Sequence, residues 1–223
     1  MKRAYEIPYI ENIKGDEKMI VIVVHGFNSS KQSVTAQRIF HEFPEQGIGV
    51  IAFDFPAHGE SPAGKEELSV ENCMADLETV EDYIKEKYPK AEIGFFCSSF
   101  GAYITLNYLT RHPDKACKVY CRSAAVDMPF LFDKPDVVEG VELVTDAFIS
   151  NLKENDLFKI YRPGAAVVKM IHGSEDEVID YGAAKAFSEK FHIPMETVAG
   201  GDHRLSYSGM PEKVMEEAVR FFK

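Results

Sequence analysis

Residues Met19–Val24 read MIVIVV, an apolar run without a polar break. A strand wet on one face alternates polar with apolar side chains. An unbroken β-branched run predicts a strand buried on both faces. Comparable runs recur at Ile48–Phe53 (IGVIAF), 93–96, 118–126 and 166–171, with a weaker one at 194–199. Segments of helical period lie between them. Val70, Cys73, Met74, Leu77, Val80, Ile84 and Tyr88 fall on one face of a helix, and Pro89 ends it. Further helices are expected over 101–110, 180–191 and 211–222, the last with proline in its first turn. Strand alternating with helix predicts right-handed crossovers and an α/β fold. Its central sheet is mostly parallel, with helices on both faces. Residues 3–13 are expected to add an edge strand, because Pro8 cannot donate to a central ladder.

One segment breaks the alternation. After residue 126 the next apolar run waits until 166, too long for an ordinary connection. A small helical insertion is expected at about 127–163, lying as a lid over one edge of the sheet. Its rings Phe130, Phe132, Phe148, Phe158 and Tyr161 are candidate substrate contacts. About one or two of them reach the ligand and the others form lid core. Residues 1–223 are expected to form one domain, for which a 45% hydrophobic content supplies the core. Lys and Arg number 25 against 36 Asp and Glu, a net charge of −11 that repels polyanions, so no nucleic-acid partner is expected. The start, MKRAYEIPYIENI, lacks an apolar signal region, and no run reaches membrane length. The expectation is a cytoplasmic protein without a membrane partner. The four cysteines form no C-x-x-C pair and read as small buried hydrophobes.

In an open parallel sheet, ligands gather at the carboxyl ends of the strands. There the sequence places His25-Gly26-Phe27, Asp54 to Ser61, Cys97-Ser98-Ser99-Phe100-Gly101, His172 to Asp176, and Gly200-Gly201-Asp202-His203. The stretch FFCSSFGAY passes from strand to helix with no room for a loop. Such a turn exposes a serine hydroxyl beside a helix N-terminus, and the residue two positions on must be small. Gly101 meets that condition if Ser99 is the nucleophile; Phe100 fails it if Ser98 is. A serine also needs a base, and the base an orienting acid. His203 and Asp176 complete the order serine, acid, histidine. Glu175, Asp180 and Asp127 are rival acids. The backbone N–H groups of Phe100 and Phe27 are the candidate oxyanion donors, each worth roughly 3 kcal/mol. The bland role for Ser99 is a helix N-cap.

Together these pieces resemble the α/β-hydrolase superfamily, in its compact branch of small esterases and monoacylglycerol-lipase-like and serine-aminopeptidase-like proteins. The matching motifs are His25-Gly26-Phe27, the D-x-x-x-H-G-x-S turn from Asp54 to Ser61, the serine turn, His172-Gly173-x-x-Asp176 and Gly201-Asp202-His203. The resemblance implies a serine hydrolase acting on a small-molecule ester or acyl substrate, with carboxylic esters first. A peptidase, a thioesterase or a non-catalytic binder on the same fold are the alternatives. It implies no cofactor, and no H-x-x-x-H or H-E-x-x-H spacing points to a metal. It gives His25 and His58 a bracing role around the oxyanion loops. The family pattern is G-x-S-x-G, and Cys97 stands at its first glycine, which predicts a slightly opened turn.

Overall fold

The computed structural model describes residues 1–132, 139–207 and 209–223. Residues 133–138 of the expected insertion lie outside the described residues. The strands are β1 (Tyr9–Asn12), β2 (Met19–Val24), β3 (Ile48–Phe53), β4 (Glu92–Ser98), β5 (Lys118–Arg122), β6 (Val167–Gly173) and β7 (Met195–Val198). They form one sheet in the order β1-β3-β2-β4-β5-β6-β7. β1 pairs antiparallel with β3 at the edge, and every other pairing is parallel. Every residue of β2 and β3 is buried, as their unbroken apolar runs require.

The helices are α1 (Val34–Glu42), α2 (Val70–Lys87), α3 (Phe100–Arg111), α4 (Met128–Leu131), α5 (Asp146–Glu154), α6 (Leu157–Ile160), α7 (Tyr181–Phe191) and α8 (Met210–Phe222). The sheet separates two buried apolar layers. One contains α2, α3, α7 and the insertion around Leu77, Ile104, Phe148 and Phe187. The other contains α1 and α8 around Ile39, Phe43, Val214 and Phe222. α2 begins where Ser69 accepts from the Asn72 N–H, and its buried positions Val70, Cys73, Met74, Leu77, Val80 and Ile84 follow the expected stripe. Among the described residues the insertion holds α4, α5, α6 and a short 3₁₀ turn at Val141–Leu143.

Two differences from the sequence reading have plain causes. The run at 118–126 gives a strand that stops at Arg122, because Ser123 takes φ of +50° and turns the chain. α1 was not foreseen. Its core-facing residues are few, Ala36 and Ile39, and its stripe is diluted by polar neighbours, although Ser33 caps it through the Ala36 N–H.

The strand order reverses direction at β2. The chain goes from β2 to β3 on one side, and β4 then pairs on the other. Loops leaving β2 and β4 diverge at the carboxyl edge, the place where such sheets bind ligands.

Candidate active site

Ser99 follows β4 with φ +50° and ψ −115° and stands at the N-cap of α3. A non-glycine residue there is strained by about 1–3 kcal/mol. The surroundings hold it. Its N–H donates to the Arg122 carbonyl at 3.0 Å, and its own carbonyl accepts from Ala102, Tyr103 and Ala125. Its hydroxyl caps nothing. The N-cap role therefore does not explain the serine. A Cβ on Gly101 would lie 2.3 Å from the Val24 carbonyl oxygen, so this position admits only glycine. Ser98 is occupied elsewhere: it is buried, and its Oγ accepts from Arg122 Nε at 3.3 Å.

Cys97 does not open the turn. It pairs with Val24 and Cys121, and the β4–β5 ladder continues through Ser98 opposite Arg122. The buried thiol donates to Thr105 Oγ1 of α3 at 3.1 Å. Burial pushes its pKa well up, so it stays a neutral thiol.

Asp176 and His203 lie on the loops after β6 and β7. Asp176 accepts from His203 Nδ1 at 2.9 and 3.0 Å. The two loops meet because their glycines touch: a Cβ on Gly173 would fall 2.1 Å from the Gly201 carbonyl oxygen. The carboxylate side chain is fully buried, and burial alone would raise its pKa. Donation from His172 and His203, the His203 charge and the Ile179 N–H outweigh burial and hold it well below the carboxylate range. His203 is anchored twice more. Its N–H donates to Glu177 Oε2 at 3.0 Å, and its carbonyl accepts from Ser123 Oγ at 2.8 Å. Among the described residues Ser99 and His203 share no hydrogen bond.

The rival acids Glu175 and Asp180 have other surroundings. Glu175 is exposed, Asp180 caps α7 through the Ala183 N–H, and Asp127 precedes α4.

The loop after β2 lies beside the serine turn. A Cβ on Gly26 would come within 3.3 Å of Ser99 Cβ, so the His25-Gly26-Phe27 turn lies directly against the serine. Neither the Phe27 nor the Phe100 N–H has a protein acceptor among the described residues. His25 fixes the turn. Its Nδ1–H donates to the Gly26 carbonyl at 2.7 Å, and its Nε2 accepts from the Phe55 N–H at 3.1 Å. That pattern demands a neutral ring, and burial, aided by repulsion from His58, lowers its pKa to about 3. His58 donates from Nδ1 to the Pro56 carbonyl and stacks on Phe100. Beneath them Asp54 accepts from the Lys31 N–H, Lys31 Nζ (2.5 Å) and the Glu60 N–H, a buried ion pair that ties two loops together.

The insertion contributes unevenly. Phe132 and Phe148 pack on Phe27 at 5.4 and 6.1 Å between centroids, and Phe148 also meets Phe100. Phe130 is exposed. Phe158 and Tyr161 pack on Phe187 of α7 and are not brought to the serine turn. Three contributors escaped the sequence reading. One is His172, whose Nε2 lies 3.1 Å from Asp176 Oδ2. Its i,i+4 spacing to Asp176 is the signal that would have found it. Lys31 and the pair Arg122-Ser123 carry no local signal at all, since their partners are far along the chain.

The profile of the family described as serine aminopeptidase, S33, a family of hydrolases, matches residues 15–157. That span includes Ser99 but neither Asp176 nor His203. A search of curated proteins finds no match. Solved structures with the same fold include Est1E of Butyrivibrio proteoclasticus with ferulic acid bound. It is 18% identical, with a TM-score of 0.74 over 98% of this chain and 94% of that one. The monoacylglycerol lipase of Paleococcus ferrophilus is 20% identical, with a TM-score of 0.73 over 97% and 98%. An esterase of Pyrococcus furiosus is 19% identical, with a TM-score of 0.71 over 98% and 92%. At such identities these likenesses speak for the fold. With the profile match and the sheet order, they establish that the chain belongs to the serine aminopeptidase S33 family of α/β-hydrolases.

Proposed function

We propose that this chain is a serine hydrolase that cleaves small to medium carboxylic esters through an acyl-enzyme. The observation that carries the reading is the Ser99 hydroxyl, held on a strained strand-to-helix turn yet capping nothing. Strain and an idle polar group at the carboxyl edge of the sheet point to use in chemistry.

Asp176 accepts the Nδ1–H of His203, which leaves Nε2 as the basic nitrogen. Nε2 takes the Ser99 proton as Oγ bonds to the acyl carbon. The carbonyl electron pair moves to oxygen, where the Phe27 and Phe100 N–H groups donate to it. Collapse of that intermediate breaks the ester bond, and His203 protonates the departing alkoxide. Water repeats the sequence and frees the acid and Ser99. The Ser99–His203 hydrogen bond forms with substrate bound, since catalytic hydrogen bonds tighten in the Michaelis complex.

Phe27, Phe132 and Phe148 form an apolar wall suited to a modest aliphatic or aromatic acyl group. The ferulic acid bound to Est1E, which shares the fold, is consistent with an aromatic one. The family's description favours one second reading, release of N-terminal amino acids, and a panel separates the two. Butyryl, feruloyl and long-chain p-nitrophenyl esters are compared with aminoacyl anilides and acyl-CoA, and the short and aromatic esters are expected to turn over fastest. A fluorophosphonate probe is expected to label the protein and to lose its target in Ser99→Ala. A well-folded wild type that takes up no probe would end the hydrolase reading and leave a binding protein.

A further inference from the structure

The nucleophile and the base stand on loops after β4 and β7, with β5 and β6 between them. Something must set their separation. The carboxyl end of β5 touches both loops. On one side the Arg122 carbonyl accepts the Ser99 N–H at 3.0 Å, and Arg122 Nε donates to Ser98 Oγ at 3.3 Å. On the other side Arg122 Nη1 donates to the Arg204 carbonyl at 2.7 Å, and Ser123 Oγ donates to the His203 carbonyl at 2.8 Å. Two consecutive residues thus hold two consecutive carbonyls of the histidine loop while gripping the serine turn.

The choice of groups argues for a geometric role. Arg122 makes no ion pair among the described residues, although Asp176 and Asp202 lie near enough to act on its charge. Burial lowers its pKa to about 10, so it remains a cation at neutral pH. A guanidinium offers donors in a rigid fork, which suits spanning two fixed acceptors better than a flexible ammonium does. Ser123 is fully buried, its φ is +50°, and its N–H donates to the Ile171 carbonyl of β6. Its hydroxyl therefore has little freedom to follow a moving loop.

We propose that Arg122 and Ser123 are positioning residues, a bracket at the end of β5 that fixes His203 at the reach of Ser99. The inference rests on the serine-hydrolase reading for its consequence in rate, but the bracket itself can be read without turnover. The experiment compares wild type with Arg122→Met, Arg122→Lys, Ser123→Ala and the Arg122→Met/Ser123→Ala double variant. Steady-state hydrolysis of p-nitrophenyl butyrate gives the rates. Hydrogen–deuterium exchange of the 202–207 peptide gives loop opening, and thermal midpoints control for folding.

Arg122→Met and Ser123→Ala are each expected to lower kcat about 10- to 100-fold with KM within about twofold, the size of effect that a misplacement near 1 Å produces. Arg122→Lys recovers part of the loss, because it keeps one donor for the Arg204 carbonyl. The double variant loses less than the product of the single losses, because both groups hold the same loop. Exchange over 202–207 rises in Arg122→Met and Ser123→Ala while the midpoints stay close to wild type. Unchanged exchange and kcat in both single variants would overturn the proposal. So would a rate loss that tracks the thermal midpoint and shows no recovery in Arg122→Lys. Should exchange rise as expected in a protein that hydrolyses none of the esters, the bracket stands and the hydrolase reading fails.

Discussion

At the scale of single residues, the site contrasts groups held neutral with one held charged. Asp176 is kept ionised by its donors, and His25 is kept neutral by burial. Replacing Asp176 with Asn removes the carboxylate that fixes the His203 tautomer. We expect a fall in kcat of roughly 10³- to 10⁴-fold, against a small effect for Asp127→Asn, measured on the same ester. His203→Ala is expected to cost roughly as much with a normal circular dichroism spectrum. For His25 the sign of the pH effect is fixed. The unfolded chain binds a proton there below about pH 6.5, whereas the folded chain refuses it until about pH 3. That contribution is complete above pH 6.5 and is lost as pH falls toward 3, at up to about 1.4 kcal/mol per pH unit. Urea midpoints between pH 4 and 8 should show a shallower acid decline in His25→Gln than in wild type.

At the scale of elements, close backbone contacts assemble the site and tolerate no side chain. Gly101→Ala would press a Cβ against the Val24 carbonyl, and Gly173→Ala would press one against Gly201. Both neighbours are backbone and cannot step aside. Each substitution is expected to destabilise by about 3 kcal/mol or more in urea unfolding. A surviving Gly173→Ala protein should also hydrolyse esters slowly, because the Asp176 and His203 loops are forced apart. The Lys31–Asp54 pair acts in the same way on the other flank. Both side chains are buried, so Asp54→Ala leaves the Lys31 ammonium with only the exposed Glu60 carboxylate at 2.6 Å, takes the acceptor from the Lys31 and Glu60 N–H groups, and should cost about 3 kcal/mol. Lys31→Met/Asp54→Leu is expected to recover only part of that stability, because the buried ammonium is gone but the Lys31 and Glu60 positions still lack the acceptor for their N–H groups. The elements themselves were largely legible in the sequence. Continuous runs such as MIVIVV announce buried strands, and the stripe along α2 announces its helix. α1 was missed because two buried residues make too thin a stripe.

At the scale of the whole molecule, the net charge of −11 sets a long-range field. It should draw cationic substrates to the site and slow anionic ones, an effect that salt screens. We expect kcat/KM for a choline ester to fall, and for a succinate half-ester to rise, as ionic strength goes from about 0.01 to 0.3 M. A common direction for both esters would show that the average field does not reach the site.

What this sequence determined by itself is whatever repeats locally. Hydrophobic period separates strand from helix. The glycine two positions after Ser99 selected that serine over Ser98, because the steric demand lies within one turn. The order of motifs along the chain indicated where serine, acid and histidine would stand. Only the tertiary structure decided which distant groups hold them. His172 reaches the Asp176 carboxylate, Lys31 reaches Asp54, and the end of β5 grips loops from β4 and β7. It also separated Phe132 and Phe148, beside Phe27, from Phe158 and Tyr161 on α7. Such contacts arise from sheet order and loop path, which join residues up to about eighty positions apart and leave no periodic trace in the chain.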